Sequence, residues 1–344
     1  MQVDWFFILE KILLISGVLV ISLVVAMYST WGERKVAGIM QDRLGPNRAG
    51  PLGLLQPLAD GGKLFFKEEI IPGSSNRFLF ILGPSLAMTV ACMTSAVIPW
   101  GDTLTIAGHT VSLQVADVNI GILYIFGVVS LGVYGIMLGG WASNNKFSLL
   151  SSIRAASQII SYELAMGMAL IALLMVNGTL SLKEIVEQQR HGVWNILLQP
   201  LGFIIFLVCS FAETNRSPFD LAEAENELNG GYHLEYSSMK LGFFLFAEYI
   251  NMFVSSALMS TLYFGGYAFP FMDSLHVSPN ILTLLGTLAL FIKTICFIFF
   301  FMWVRWTIPR FRYDQLMRLG WNYMIPIALA NMLITGAWIL WRQH

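Results

Sequence analysis

Eight apolar stretches, each as long as a bilayer's hydrocarbon core is thick, leave this chain very few ways to fold. They lie near residues 6–30, 77–99, 118–140, 156–176, 195–213, 239–264, 281–304 and 321–341. A core of about 30 Å needs about 20 helical residues to cross it. The runs are continuously apolar rather than alternating, so the backbone must satisfy its own hydrogen bonds as helix and not as barrel strand. The expected fold is therefore an all-α integral membrane protein, a bundle of about eight transmembrane helices in one polytopic domain, 1–344. Composition agrees: 56% of residues are hydrophobic and 12% charged, where a soluble domain has about 25% charged. A cytosolic enzyme and a disordered scaffold are both excluded. With a formal charge of −1 and scattered Lys and Arg, the chain carries no nucleic-acid footprint.

The first run lacks a small-residue cleavage site and ends at Glu33-Arg34-Lys35, which reads as a retained helix rather than a signal peptide. Orientation follows from Lys and Arg. Fifteen of them fall in the odd connections (31–76, 141–155, 214–238, 305–320 and their edges), whereas the even ones hold only Lys183 and Arg190. The basic connections face the cytoplasm or matrix by the positive-inside rule, with both termini on the other side. The absence of a transit peptide and the chain length favour a bacterial inner (plasma) membrane over a mitochondrial one.

The three cysteines sit singly inside apolar runs, and the five histidines lie between or beyond the runs. Neither a haem held by two transmembrane histidines nor an iron–sulfur cluster is expected, and no metal site. Any redox group belongs to a partner. In the first basic connection, Leu58, Leu64, Phe65, Phe66, Ile70 and Ile71 alternate with Asp60, Lys63, Lys67, Glu68 and Glu69 between Pro57 and Pro72. That pattern predicts an amphipathic helix at the membrane surface, either a plain anchor or part of a site.

Glu163, Glu213, Glu248 and Lys293 fall within the runs or at their inner ends. Nine residues beyond Arg154, Glu163 lies roughly 13 Å deep, and eight beyond Lys240, Glu248 lies roughly 12 Å deep. Four charges facing lipid would cost on the order of 10 kcal/mol, so they face one another or water inside the bundle. Such carboxyls suit a proton path. The competing reading is a Glu–Lys pair that merely ties helices together, yet three acids to one base leave carboxyls without a cation. Residues 213–227, Glu213-Thr214-Asn215-Arg216-Ser217-Pro218-Phe219-Asp220-Leu221-Ala222-Glu223-Ala224-Glu225-Asn226-Glu227, extend the series on the side where basic residues are the rule. They read as a solvated acidic loop or as a carboxylate chain running from the surface into the core.

Three stretches carry a family resemblance. They are Glu33-Arg34-Lys35 through Gly45-Pro46-Asn47 to Gly53-Leu54-Leu55-Gln56-Pro57-Leu58-Ala59-Asp60-Gly61-Gly62-Lys63-Leu64; residues 213–228 leading to Ala247-Glu248-Tyr249; and Pro309-Arg310-Phe311-Arg312-Tyr313-Asp314-Gln315-Leu316-Met317. Together they resemble the membrane subunit of respiratory complex I that joins its membrane and peripheral arms, known as the H subunit in bacteria and as subunit 1 in mitochondria. The likeness spans nearly the whole chain.

The resemblance implies a non-redox subunit of a proton-pumping NADH:quinone oxidoreductase that forms much of a quinone chamber. The substrate is ubiquinone or menaquinone; FMN and iron–sulfur clusters are expected in partner subunits, and antiporter-like subunits beside it in the membrane. Carried over by motif, Arg34, Asp60 and Lys63 fall at the chamber's entrance or wall, and Arg216 and Phe219 line or support its inner part. Arg305, Arg310, Arg312 and Asp314 belong to the loop that docks the peripheral arm. Glu163, Glu213, Asp220, Glu223, Glu225 and Glu248 match the family's acidic channel. One departure is Ala224, where the family commonly has glycine, which removes backbone freedom in that loop. The alternatives are a homologous subunit of an energy-converting hydrogenase or an independent ion-coupled transporter; the latter often shows internal repeats, and none is evident.

Overall fold

A helix of 36 residues, α1 (Trp5–Met40), opens the chain. At about 1.5 Å per residue it is about 54 Å long, so it outruns a bilayer core of about 30 Å. The charged triplet Glu33-Arg34-Lys35 therefore does not end it, and α1 runs on to Met40. The computed structural model describes residues 5–106, 109–222, 230–275 and 277–343. Along it follow α2 (Gln56–Phe66), α3 (Arg77–Thr94), α4 (Gly121–Ala142), α5 (Lys146–Asn177), α6 (Leu182–His191), α7 (Asn195–Leu198) and α8 (Pro200–Glu213). Then come α9 (Ser238–Tyr263), α10 (Pro279–Thr307), α11 (Tyr313–Arg318), a π-helical turn over Leu319–Met324, and α12 (Ile325–Gln343).

Among the described residues seven helical stretches are long and apolar enough to cross a membrane; α11, the π turn and α12 count as one, Tyr313–Arg342. The all-α membrane fold read from the sequence is borne out. The run at 195–213 differs: Gln199, at φ −134° and ψ 59°, and Pro200 divide it into the one-turn α7 and the 14-residue α8. At about 21 Å, α8 falls short of a full crossing. It is held inside the bundle by Gln158 of α5, whose Nε2 donates to the Ala212 carbonyl at 2.8 Å.

Helices start and stop where local chemistry provides. Asn76 caps α3 by accepting from Phe78 N and Leu79 N, and Asn145 caps α5 by accepting from Phe147 N. Gly178 closes α5 in the left-handed region at φ 69°. Between α3 and α4, Gly83 and Gly139 bring the backbones together: a Cβ on Gly83 would stand 2.9 Å from Gly139 Cα.

At the end of the bundle away from the basic connections sits a small antiparallel hairpin, β1 (Thr103–Ile106) with β2 (His109–Ser112). Asn280 fixes it to α10, its Oδ1 accepting from Thr105 N and its Nδ2 donating to Thr105 O, both at 2.9 Å. Arg190 of α6 reaches Asp273 with Nε at 2.8 Å and Asp102 with Nη1 at 3.6 Å. Lys293 belongs here too. Its Nζ donates to the carbonyls of Phe264, Gly266 and Ala268 at 2.7, 2.8 and 2.6 Å and lies over the Trp194 ring. All three donors are thus spent on the turn after α9, so Lys293 neither faces the membrane glutamates nor forms the Glu–Lys tie of the competing reading; the backbone clamp takes its place.

The hydrogen bonds from Arg190 hold the Asp273 carboxyl below its ordinary range. A depressed carboxylate adds stability above its unfolded pKa and loses it as pH falls through the folded one. Limited proteolysis of the segment from Gly265 to Leu275 is expected to stay constant from neutral pH down through the ordinary aspartate range, about 3.9, and to rise only below it. Asp273→Asn is expected to cleave faster already at neutral pH; equal cleavage of the two proteins there would refute the clasp.

Candidate functional site

Pro57 opens α2, and the helix leaves its axis at Lys67, whose backbone is extended at φ −70° and ψ 141°. The amphipathic helix expected to run towards Pro72 thus stops at Phe66. The following residues are drawn onto the start of α9 instead: Ile70 N donates to Ser237 Oγ at 3.0 Å, and Glu69 pairs with Lys240. Ser238 Oγ donates to the Leu64 carbonyl at 3.1 Å, which anchors the end of α2 as well.

Stitched this way, α2 leaves a cavity of about 420 Å³ between itself, α1, α9 and α10. Volumes of about 300–1,000 Å³ are usual for small-molecule sites. Its lining mixes polar Glu33, Arg34, Asp60, Lys63, Tyr249 and Arg305 with apolar Met27, Leu64, Leu241, Leu245, Phe246 and Trp306. Arg34 Nη1 pairs with Asp60 Oδ2 at 2.7 Å, and Gln56 Nε2 donates to Asp60 Oδ1 at 3.0 Å. The three residues assigned by motif to the entrance or wall, Arg34, Asp60 and Lys63, line one cavity.

Glu33 organises the polar residues. Its Oε2 accepts from Arg216 Nη1 and from the Tyr249 hydroxyl, each at 2.8 Å, and its Oε1 pairs with Arg305 Nη1 at 2.5 Å. Arg216 is itself buried and stacks over the Tyr249 ring at 4.1 Å. One buried carboxylate thus gathers two guanidiniums and a hydroxyl from three distant parts of the chain. Arg305, assigned by motif to the docking loop, points inward to this cluster. Sequence reasoning passed over Glu33 and Tyr249. The only signal was their presence inside two of the resembling stretches.

A second, smaller cavity of about 40 Å³ lies inside the bundle, with room for about three waters at about 10–15 Å³ each. Glu213, Asn215, Tyr232, Glu248 and Asn251 line it among aliphatic side chains. The Tyr232 hydroxyl donates to Glu248 Oε1 at 3.0 Å. Ser130 Oγ of α4 donates to Glu163 Oε1, and Glu163 and Glu213 interact through space. The three membrane glutamates singled out in the sequence therefore form one group, with hydroxyls beside them and a small cavity that Glu213 and Glu248 line.

The two sites meet at two places in the chain. Glu213 and Asn215 line the inner cavity while Arg216 binds Glu33. On α9, Glu248 faces the inner cavity and the next residue, Tyr249, the outer one.

Phe219 is buried behind this junction, with its ring 5.3 Å from Tyr162 and 5.6 Å from Phe311; it is not among the residues lining the larger cavity. Arg310 Nη2 donates to the Asp220 carbonyl at 2.5 Å and lies 3.6 Å from its carboxylate, while Phe311 N donates to the Pro218 carbonyl. The loop before α11 is thereby fastened to the loop after α8. Arg312 and Asp314 pair at 3.3 Å and stay exposed. Glu223 and Glu225 lie outside the described residues. Among the described residues no three His, Cys, Asp or Glu side chains are grouped to hold a metal ion.

The family model described as NADH dehydrogenase matches residues 12–336. A relative from Cytophaga hutchinsonii, the first-numbered H subunit of its NADH-quinone oxidoreductase, is 66% identical, with 99% of each chain covered. The NADH-quinone oxidoreductase H subunit of Flavobacterium johnsoniae is 64% identical over 97% of this chain and 96% of the relative. NADH-quinone oxidoreductase subunit 8 of Rhodothermus marinus is 48% identical over 96% and 94%.

Proposed function

Because the chain belongs to the family of the NADH-quinone oxidoreductase H subunit, a membrane subunit of that complex, we propose that its larger cavity receives the quinone and that the glutamate group carries the coupled protons. The observation that carries this reading is the junction: Arg216 and Tyr249 reach Glu33 on the cavity wall, while Glu213 and Glu248, close by in the same two parts of the chain, flank the inner cavity.

The chemistry fits each part. A quinone has polar ring oxygens and an apolar tail, and the cavity lining supplies both charged and apolar side chains. Reducing a quinone to a quinol consumes two electrons, supplied by iron–sulfur partners of the complex, and two protons. The cationic pair Arg34 and Lys63, offset by Asp60, favours negative charge developing at the quinone oxygens. Charge change at the cavity acts on Arg216 and Glu33, and through them on Glu213, Glu163 and Glu248. Coupled carboxyls respond as a set, so a proton moves along the group without a redox centre in this chain. Asp220, with Glu223 and Glu225 beyond it, extends the series towards the partner side. Exposed Arg312 and Asp314 suit docking of the peripheral arm. In this reading the protein lies in the bacterial plasma membrane with both termini outside.

Leu245→Trp tests the cavity, because it fills it from an apolar position without altering a charge. Inhibitor-sensitive NADH:quinone reductase activity of the assembled complex is expected to fall by up to about a hundredfold, the scale of a misplaced reactant. NADH oxidation by an artificial acceptor is expected to be unchanged. Normal quinone turnover in an assembled Leu245→Trp complex would refute the site.

A further inference from the structure

Two apolar grooves flank the first half of α1 at the end away from the basic connections. One, of about 160 Å³, lies between α1 and α10 and is lined by Leu13, Gly17, Ile21, Trp100, Leu113 and Phe291. The other, of about 290 Å³, lies between α1 and α3 and is lined by Ile15, Leu19, Cys92, Met93, Val115 and Tyr124. Val18 belongs to both linings, so the grooves run side by side across a single ridge. The strap Leu113-Gln114-Val115 completes the ridge: Leu113 lines one groove, Val115 the other. On the Gln114 carbonyl between them rests Lys11 Nζ, at 3.5 Å.

Lys11 is the only Lys or Arg before Arg34. Its neighbour Glu10 stands 4.0 Å away, and the Lys11 side chain is 28% exposed. From Lys11 to Ile21 the helix descends about 15 Å, half of a hydrocarbon core of about 30 Å, which is the depth of one leaflet. Exposed Trp5 lies between one and two turns above, a side chain that favours a membrane–water interface.

We propose that this double groove is a binding site for one phospholipid, with its phosphate on Lys11 and one acyl chain in each groove. A cation at the head of one apolar groove lined from Leu13 to Ile21, with a second groove sharing Val18 beside it, matches a headgroup bearing two chains. A transmembrane helix, about 10–12 Å across, would have to sit astride the ridge. The site is separate from both cavities of the functional site and does not depend on quinone binding there.

The test uses the assembled complex from its native membrane, reconstituted with a phospholipid whose acyl chains end in a photoactivatable group, the labelled peptides being found by mass spectrometry. Label is expected on residues 13–21, 92–96 and 113–115 and at Trp100 and Phe291. Gly17→Phe fills the first groove, since a Cβ there meets nothing within 4 Å; it is expected to remove label near Trp100 and Phe291 and spare Cys92 and Met93. Lys11→Gln is expected to lower label in both grooves about fivefold, with quinone reductase activity unchanged. Should a variant fail to assemble, Cys92 provides a second readout in the unaltered complex, where a lipid-soluble maleimide is expected to react faster after delipidation. Uniform label around the bundle, label insensitive to both variants, a cross-linked helix of another subunit in the grooves, or Cys92 reacting equally before and after delipidation would each overturn the proposal.

Discussion

Glu33→Gln is expected to lower the stability of the complex by about 3–5 kcal/mol, the range for breaking a buried ion pair, and to abolish most quinone reductase activity. Glu33 is the acceptor for Arg216 at 2.8 Å and for Arg305 at 2.5 Å. An amide keeps a hydrogen bond for Tyr249 but leaves two guanidiniums without a shared counter-charge. Arg216 suffers more, because its Nε and Nη2 are buried with no acceptor among the described residues. Arg305, 27% exposed, can turn to solvent. The double change Glu33→Gln with Arg305→Gln is therefore expected to recover part of the lost thermal stability, by removing one of the stranded cations. Thermal denaturation and yield of the assembled complex measure both effects. A double variant no more stable than Glu33→Gln alone would refute the shared-carboxylate account.

That cluster also marks the boundary of what the sequence made legible. The length and continuity of the apolar runs dictated helical membrane crossings, since the bilayer leaves the backbone no other choice. The cost of charge at mid-depth likewise drew Glu163, Glu213 and Glu248 together before any contact was known; Glu213 and Glu248 line one small cavity, and Glu163 interacts with Glu213 beside it. The same reasoning misjudged Lys293. A depth argument requires a partner for a buried ammonium but does not name it, and three carbonyls of the turn after α9 serve as well as a carboxylate. Glu33 was hidden for the opposite reason. A charged triplet after an apolar run reads as the membrane edge, and only the tertiary meeting of α1 with the loop after α8, α9 and α10 brings Arg216, Tyr249 and Arg305 around it. The break of α7 from α8 was foreshadowed by Gln199-Pro200, a polar residue before a proline inside an otherwise apolar run. The hairpin between α3 and α4 had weaker signals, short β-branched stretches on either side of the turn, and hydropathy alone does not register them.

Glu213→Gln is expected to abolish proton translocation coupled to quinone reduction while NADH oxidation by an artificial acceptor continues at its normal rate. Glu213 ends α8 beside Thr214, Asn215 and Arg216, so it is the first carboxyl of the inner group next to a residue that touches the cavity cluster. The amide conserves shape and can still donate and accept hydrogen bonds, which keeps the small cavity and its neighbours Glu248 and Asn251 in place. What it cannot do is release or take up a proton, and the step between the cavity and Glu163 is lost. Glu213→Asp keeps the titratable group about one bond shorter and is expected to restore part of the coupled activity, which a purely structural role for the side chain would not predict. The measurement is proton uptake into sealed vesicles together with quinone reductase rate, in complexes of equal flavin content. Pumping at the normal ratio in Glu213→Gln would exclude this carboxyl from the path, and the junction at Arg216 would then serve only to hold α1, α9 and the loop after α8 together.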